Sequence, residues 1–386
     1  MSWPNVKLGD LGVISAGGTP SRSKPQYWGN GIKWLSIKDY KDFQVVEETT
    51  EQITQEGLDN SSAKLFEEGS VIISIFATLG RVAILGKTMT TNQAIAGIQC
   101  NKQINNKYLM YCLKSKLPEI ERQSGGVAQK NINLSILKSL EIPLPPLETQ
   151  KQITAVLEKS DQLRKDCKQM EQELNSLAQS VFIDMFGDLR TNSLFPKKVR
   201  FDQVFQITSK LVDPQLTENE NLPHIGPEHI TKKTGQILPH QTAKEDGLIS
   251  GKFRFNKDCV LFSKIRPNLK KTAIPDFSGL CSADMYPLNP IDGVSTSEFI
   301  WGLILSPAFD GYLEQLPSRA NIPKINRKEL AAFECHLPDY DLQVSYSNKL
   351  NAIKVLIQEN QSQQVEIEKG FNALVQRAFK GELNLN

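Results

Sequence analysis

Long apolar runs are missing from this 386-residue chain. The longest, VIISIFATLG at Val71–Gly80, covers about half a bilayer and runs into Arg81, so no membrane span is expected. The opening MSWPNVKLGD has no basic-then-apolar signal pattern, and a cytoplasmic protein is expected. Paired cysteines are missing too. Cys100, Cys112, Cys167, Cys259, Cys281 and Cys335 are scattered without a CxxC pair, which argues against a zinc knuckle or a disulfide frame and for small core residues. Histidine is scarce: His224, His229, His240 and His336 lack metal-ligand spacing and read as surface or turn residues. An excess of one charge is lacking as well. With 45 basic and 43 acidic residues the net charge is +2, so any nucleic-acid surface must be local.

Catalytic signatures are also wanting. GLISGKF (Gly247–Phe253) is one residue short of a phosphate loop and has Phe where Ser or Thr must hold magnesium. NPID (Asn289–Asp292) lacks the second proline and the aromatic of an amino-methyltransferase loop. No Gly-rich turn after a strand offers an adenosyl cofactor a seat. DYK (Asp39–Lys41) has no upstream acid at nuclease spacing. Hydrophobic content of 39% and charged content of 23% are ordinary for a globular protein, and the length allows two or three domains. The chain reads as a non-catalytic reader and scaffold with no metal of its own.

What is present is a repeat. INLSILKSLEIPLPPLETQ (Ile132–Gln150) is echoed by INRKELAAFECHLPDYDLQ (Ile325–Gln343) at a shift of 193 positions. KLGDLGVI (Lys7–Ile14) falls on RFDQVFQI (Arg200–Ile207) at the same shift, and with small gaps GSVIIS (Gly69–Ser74) falls on DCVLFS (Asp258–Ser263) and FGDL (Phe186–Leu189) on KGEL (Lys380–Leu383). A doubled plan of this kind must be settled before any motif is weighed. Each half opens with a region of short β-branched runs such as GIKWLSI (Gly31–Ile37), SVIISIF (Ser70–Phe76) and RVAILGK (Arg81–Lys87), which read as strands. A helix is expected late in each, at Asn106–Gln123 and Thr296–Gln315. The fold class is therefore α+β with two similar mixed-sheet domains.

A rod follows each domain. Apolar or small positions step by three and four through Ile153, Val156, Ser160, Leu163, Cys167, Met170, Leu174, Leu177 and Val181. They do so again through Tyr346, Leu350, Ile353, Ile357, Asn360, Gln364, Ile367, Phe371, Leu374 and Ala378. This is a coiled-coil seam, and an antiparallel pairing with approximate two-fold symmetry is expected. Two separate amphipathic helices, each capping its own domain, are the alternative. Pro143, Pro145 and Pro146 end the first domain and cannot continue a helix backwards, whereas the second collar has Pro338 alone. FG and KG stop the rods. The divisions expected are 1–146 and 195–339 for the domains, 147–190 and 340–386 for the helical spacers. About 35 helical residues span roughly 50 Å, on the order of 15 base pairs of duplex.

Charge concentrates locally. Asp42–Glu68 carries eight acids against Lys64, Arg81–Lys138 nine bases against two acids, and Lys252–Lys271 seven bases against one acid. Bases interleaved with Phe253, Phe255 and Phe262 suit a surface that tracks phosphates; a lysine-rich edge strand that blocks aggregation is equally open. The polar loops Gly17–Gly31, Ser124–Asn133 and Pro317–Asn326 add side chains of the types that meet base edges. The candidates for DNA are Arg22, Lys24, Gln26, Lys38, Arg81, Gln129 and Lys130 in the first half. In the second they are Lys252, Arg254, Lys264, Arg266, Lys270, Lys271, Arg319 and Asn321.

Several of these stretches together resemble the DNA specificity subunits of type I restriction–modification enzymes. They are Lys7–Tyr40, TNQAIAGI (Thr91–Ile98), IPLPPLETQKQITAVLE (Ile142–Glu158), SKIRPNLKK (Ser263–Lys271) and AFKGEL (Ala378–Leu383). The resemblance implies two target-recognition domains, each reading half of a split, asymmetric site in double-stranded DNA. It implies two modification subunits that methylate adenine with S-adenosylmethionine, docked on the exposed helix faces around Lys151–Lys168 and Lys349–Lys369. It also implies two restriction subunits that use ATP and Mg2+. On this view no cofactor belongs to the chain itself. The rival readings are a coiled-coil scaffold that does not touch DNA, and a nuclease with an unrecognised site.

Overall fold

The computed structural model describes residues 3–123, 131–192, 194–208, 210–317 and 323–383. The chain forms two compact units: residues 1–166 with 363–386, and residues 167–362. This division cuts through both long helices, so each unit takes half of each. The sequence had set each helix apart as a spacer.

In unit 1 a five-stranded sheet runs in the order Gly12–Ala16, Ile95–Cys100, Val71–Ser74, Val82–Leu85, Gln44–Val46. Its pairs are antiparallel except the last, which is parallel. Val71–Ser74 and Val82–Leu85 are buried at every position, which is why they read as unbroken apolar runs rather than alternations. A four-stranded sheet, Glu51–Ile53, Trp28–Leu35, Met89–Thr91, Leu65–Phe66, also mixes directions. Asn5–Lys7 pairs with Glu141–Pro143 and closes the unit.

Unit 2 repeats most of the plan, with four strands in its first sheet and no described counterpart of Gln44–Val46. One sheet is Phe205–Ile207, Met285–Pro290, Val260–Ser263, Thr272–Ala273; the second is Leu211–Val212, Lys252–Phe255, Gly279–Cys281, His224–Ile225. Lys198–Arg200 pairs with Glu334–His336. The expected single helices are each broken in two: Asn106–Ser115 with Leu117–Gln123, and Ser297–Leu305 with Pro307–Leu313. Pro118 and Pro307 sit in the first turn of the second piece, where a missing N–H costs nothing.

The long helices are Leu147–Phe186 and Tyr340–Lys380. Each starts on a buried glutamine. Gln150 Nε2 donates to Pro145 O (2.9 Å) and Gln103 O (3.0 Å), while its Oε1 accepts from Asn105 N (2.8 Å). Gln343 Nε2 donates to Pro338 O (2.9 Å) and Val294 O (3.0 Å), and its Oε1 accepts from Thr296 N (3.3 Å). This latch sets the angle at which each helix leaves its sheets, even though the second collar keeps one proline. Gly187 and Gly381 follow the last turns at φ +63° and +75°, the left-handed stop that glycine takes without a Cβ penalty.

Within each unit the two helices run antiparallel. In unit 1 Ile153 and Leu157 share a core with Phe371, Val375 and Ala378, and Arg164 forks onto Glu368 at 2.7 and 2.9 Å. In unit 2 Phe182 lies 5.4 Å from Tyr346, and Asn360 donates to Cys167 O at 3.0 Å. Gly302 admits this packing, since a Cβ there would sit 2.3 Å from Phe182.

The seam of the first helix differs from the one expected. Leu163, Met170 and Leu177 are half-exposed, at 50%, 49% and 47%, and Val156 is exposed too. The inward positions lie one residue on, at Leu157, Arg164, Glu171 and Ala178. Stepping from apolar side chain to apolar side chain chose the wrong ridge, because the true seam holds charged residues. Arg164 lies 4.3 Å from the ring of Phe371 while pairing with Glu368 and the buried Asp161, so its stem covers apolar surface as a leucine would. Ile153 and Leu174 face inward in the first helix, as do Leu350, Ile353, Ile357, Ile367, Phe371 and Leu374 in the second.

Candidate nucleic-acid interface

In unit 1 the Gly17–Gly31 loop lies across two tryptophans. Trp34 donates to Gly18 O at 2.9 Å and meets Trp28 edge-on at 5.0 Å. Arg22 stacks 3.5 Å from the Trp28 ring and reaches both carboxylate oxygens of Glu51, at 2.5 and 3.1 Å. The Arg22 hydrogen bond holds the Glu51 carboxyl below its ordinary pKa. Lys38 lies 3.7 Å from the same carboxylate. Lys24 donates to the Tyr27 hydroxyl at 2.9 Å, and Gln26 is an exposed amide of the loop. Arg81, by contrast, is turned inward: its guanidinium donates to Ile37 O (2.6 Å) and Tyr40 O (2.8 Å) and ties two loops together.

In unit 2 the basic stretch divides into surface and core. Lys252 and Lys270 are only 6% and 3% exposed, which removes both from the candidate DNA contacts. Lys270 Nζ donates to Leu305 O (2.6 Å), Ser306 O (3.1 Å) and Asp310 Oδ2 (2.6 Å); burial lowers its pKa while Asp310 opposes the shift. Lys252 bends onto Ser250 O and Oγ at 2.8 and 2.6 Å. Both ammonium groups find carbonyl partners that compensate for lost water. Lys264 reaches Ala283 O at 2.6 Å and Asp284 at 3.3 Å, and Lys271 reaches Pro227 O at 2.5 Å. Arg254 and Arg266 are exposed.

Sequence reasoning missed Arg327. It is exposed, 5.8 Å from the Phe253 ring and 5.9 Å from the Tyr286 ring, while Lys264 approaches Tyr286 from 6.0 Å. Its signal was its place directly after the echoed Ile325-Asn326. The aromatics are buried beneath these cations. Gln129, Lys130, Arg319 and Asn321 lie outside the described residues. His224 corrects the surface reading of the histidines: it is buried, and its Nδ1 meets Asp246 at 2.8 Å.

Residues 2–176 match the model of the type I restriction modification DNA specificity domain. The EcoDI specificity subunit of Escherichia coli is 26% identical, with 99% of this chain and 89% of that protein covered. Along nearly its whole length the chain is similar to a type I specificity subunit. Solved structures agree on the fold. A chain from a study of complex assembly and conformational transition of the type I R-M system matches with a TM-score of 0.60 at 16% identity, over 99% of this chain and 98% of that one. The type I S subunit of M. genitalium matches with a TM-score of 0.51 at 12% identity, over 98% and 96%. As in those folds, mixed sheets and long helices make up this chain, and among the described residues no helix is long and apolar enough to cross a membrane.

Proposed function

We propose that this chain is a specificity subunit that reads a bipartite, asymmetric site in duplex DNA, one half-site for each unit, and is itself non-catalytic. The observation that carries this is one backbone plan in both units dressed with unlike exposed side chains: Arg22 over Trp28 in the first, and in the second Arg327 over Phe253 and Tyr286 together with the exposed Arg254 and Arg266. A shared plan with different chemistry suits two unlike half-sites. Two modification subunits that use S-adenosylmethionine dock on the exposed faces of the long helices, and two restriction subunits supply the ATP- and Mg2+-dependent steps. Leu163, Met170 and Leu177, apolar and half-exposed at seven-residue intervals on one helix, are side chains that a docking helix covers. The work is that of a cytoplasmic DNA-modifying complex.

The gap between half-sites is set by helices of 40 and 41 residues, each about 60 Å long. Inserting four residues into the first long helix is expected to alter the tolerated gap while leaving both half-site sequences intact. Methylation mapped by sequencing DNA from a host carrying the full system reads this directly. An unchanged gap contradicts the spacer role.

A further inference from the structure

The two units share a strained device that neither the repeat nor the charge pattern announced. Ser74 and Ser263 end equivalent strands, and each is followed by a hairpin tip. Ser74 N donates to Arg81 O at 2.9 Å and Ser263 N to Lys271 O at 3.0 Å. Ile75 N donates to Ala94 O (2.8 Å) and Lys264 N to Asp284 O (3.0 Å); Ile75 O accepts from Ile132 N (3.0 Å) and Lys264 O from Ile325 N (2.9 Å). Each tip also places two residues in the left-handed region: Ala77 (φ +59°) with Gly80 (+71°), and Arg266 (+48°) with Lys270 (+48°). Three of these four are not glycine, and such strain persists only where the surroundings hold it for a purpose.

The side chains at the tips differ while the frame does not. In unit 1 Phe76, Ala77 and Thr78 are exposed, and the N–H groups of Phe76, Ala77, Thr78 and Leu79 find no partner among the described residues. Successive free N–H groups around a left-handed residue form a concavity suited to an anion. In unit 2 the exposed Arg266 guanidinium has no partner among the described residues, and a free guanidinium suits a phosphate in the same way. Two half-sites differ in their bases and share their sugar–phosphate backbone. A frame kept through divergence therefore matches what the half-sites share.

We propose that the tips Ile75–Gly80 and Lys264–Lys270 each grip a phosphate of the duplex, positioning its unit without reading sequence. This rests on the DNA-reading function proposed above. The test uses the full chain assembled with its modification subunit and measures affinity against salt, on the cognate duplex and on duplexes with one base pair changed in either half-site. Arg266→Ala and Thr78→Glu are each expected to weaken binding about tenfold on every duplex alike. Arg266→Ala should also lower the log–log salt slope by about one. Unfolding midpoints that match the parent exclude misfolding as the cause. Unchanged affinity and slope in both charge variants overturn the proposal, as does a loss confined to the cognate duplex, which makes the tip a base reader. Failure of the parent complex to bind duplex DNA sinks instead the functional reading beneath it.

Discussion

His224 shows at the scale of one residue how burial turns a side chain into a stability term. Burial lowers its pKa, with Asp246 opposing, from an unfolded value of about 6.5. As pH falls past that value the unfolded chain takes up the proton first, so stability present above it is lost as pH drops toward the folded pKa. The urea midpoint of unit 2, followed by Trp301 fluorescence, should therefore fall between pH 7.5 and 5.5, and fall less in His224→Asn. Equal falls in both proteins contradict the assignment. His224 had looked like a turn residue because nothing nearby in sequence marks Asp246, which is 22 positions away. Lys270 misled for the same reason. Its neighbours are basic, yet its partners are carbonyls 35 and 36 positions on and Asp310. Composition of a segment reports its charge and not the side of the strand on which each charge falls.

At the scale of the element, strands, collars and helix stops were legible because each depends on local chemistry: β-branched runs, prolines, a glycine after the last turn. Helix phase was legible only in part. Adjacent ridges of a helix are separated by about 100°, and both ridges of the first helix carry apolar side chains, so tertiary contacts decided which one turned inward. This separates two substitutions that hydrophobicity alone treats alike. Phe371→Ala removes a ring that is 3% exposed, set edge-on to Phe43 and Tyr111 and close to Arg164; it should cost about 3–5 kcal/mol. Leu163→Ala trims a half-exposed side chain and should stay within about 0.5 kcal/mol. Chemical denaturation of the two variants decides it, and similar losses would return Leu163 to the seam.

At the scale of the molecule, the chain's order and its packing order diverge. Residues 363–386 belong with residues 1–166, so the end of the chain completes the core of the unit that its beginning starts. Phe371, Val375 and Ala378 lie in one core with Tyr108, Leu109 and Tyr111, and the Phe379 ring is 5.2 Å from Tyr108. The sequence carried a hint of this, because antiparallel rods return the chain's end to its first domain. A boundary drawn at a helix start nevertheless assigns those residues to a spacer. Ending the chain after Ser362 separates these views. The second long helix keeps Tyr346, Leu350 and Ile353 in the unit 2 core, whereas unit 1 loses one wall of its core. Trp3, Trp28 and Trp34 report on unit 1 and Trp301 on unit 2. With Trp301 changed to Phe in one version and the other three changed in a second, each unit melts under its own signal. The shortened chain should lower the unit 1 midpoint by many degrees, since several large side chains leave one core at once, and leave the Trp301 transition near its parent value. A unit 1 transition unmoved by the truncation shows that the terminal residues decorate that core without completing it.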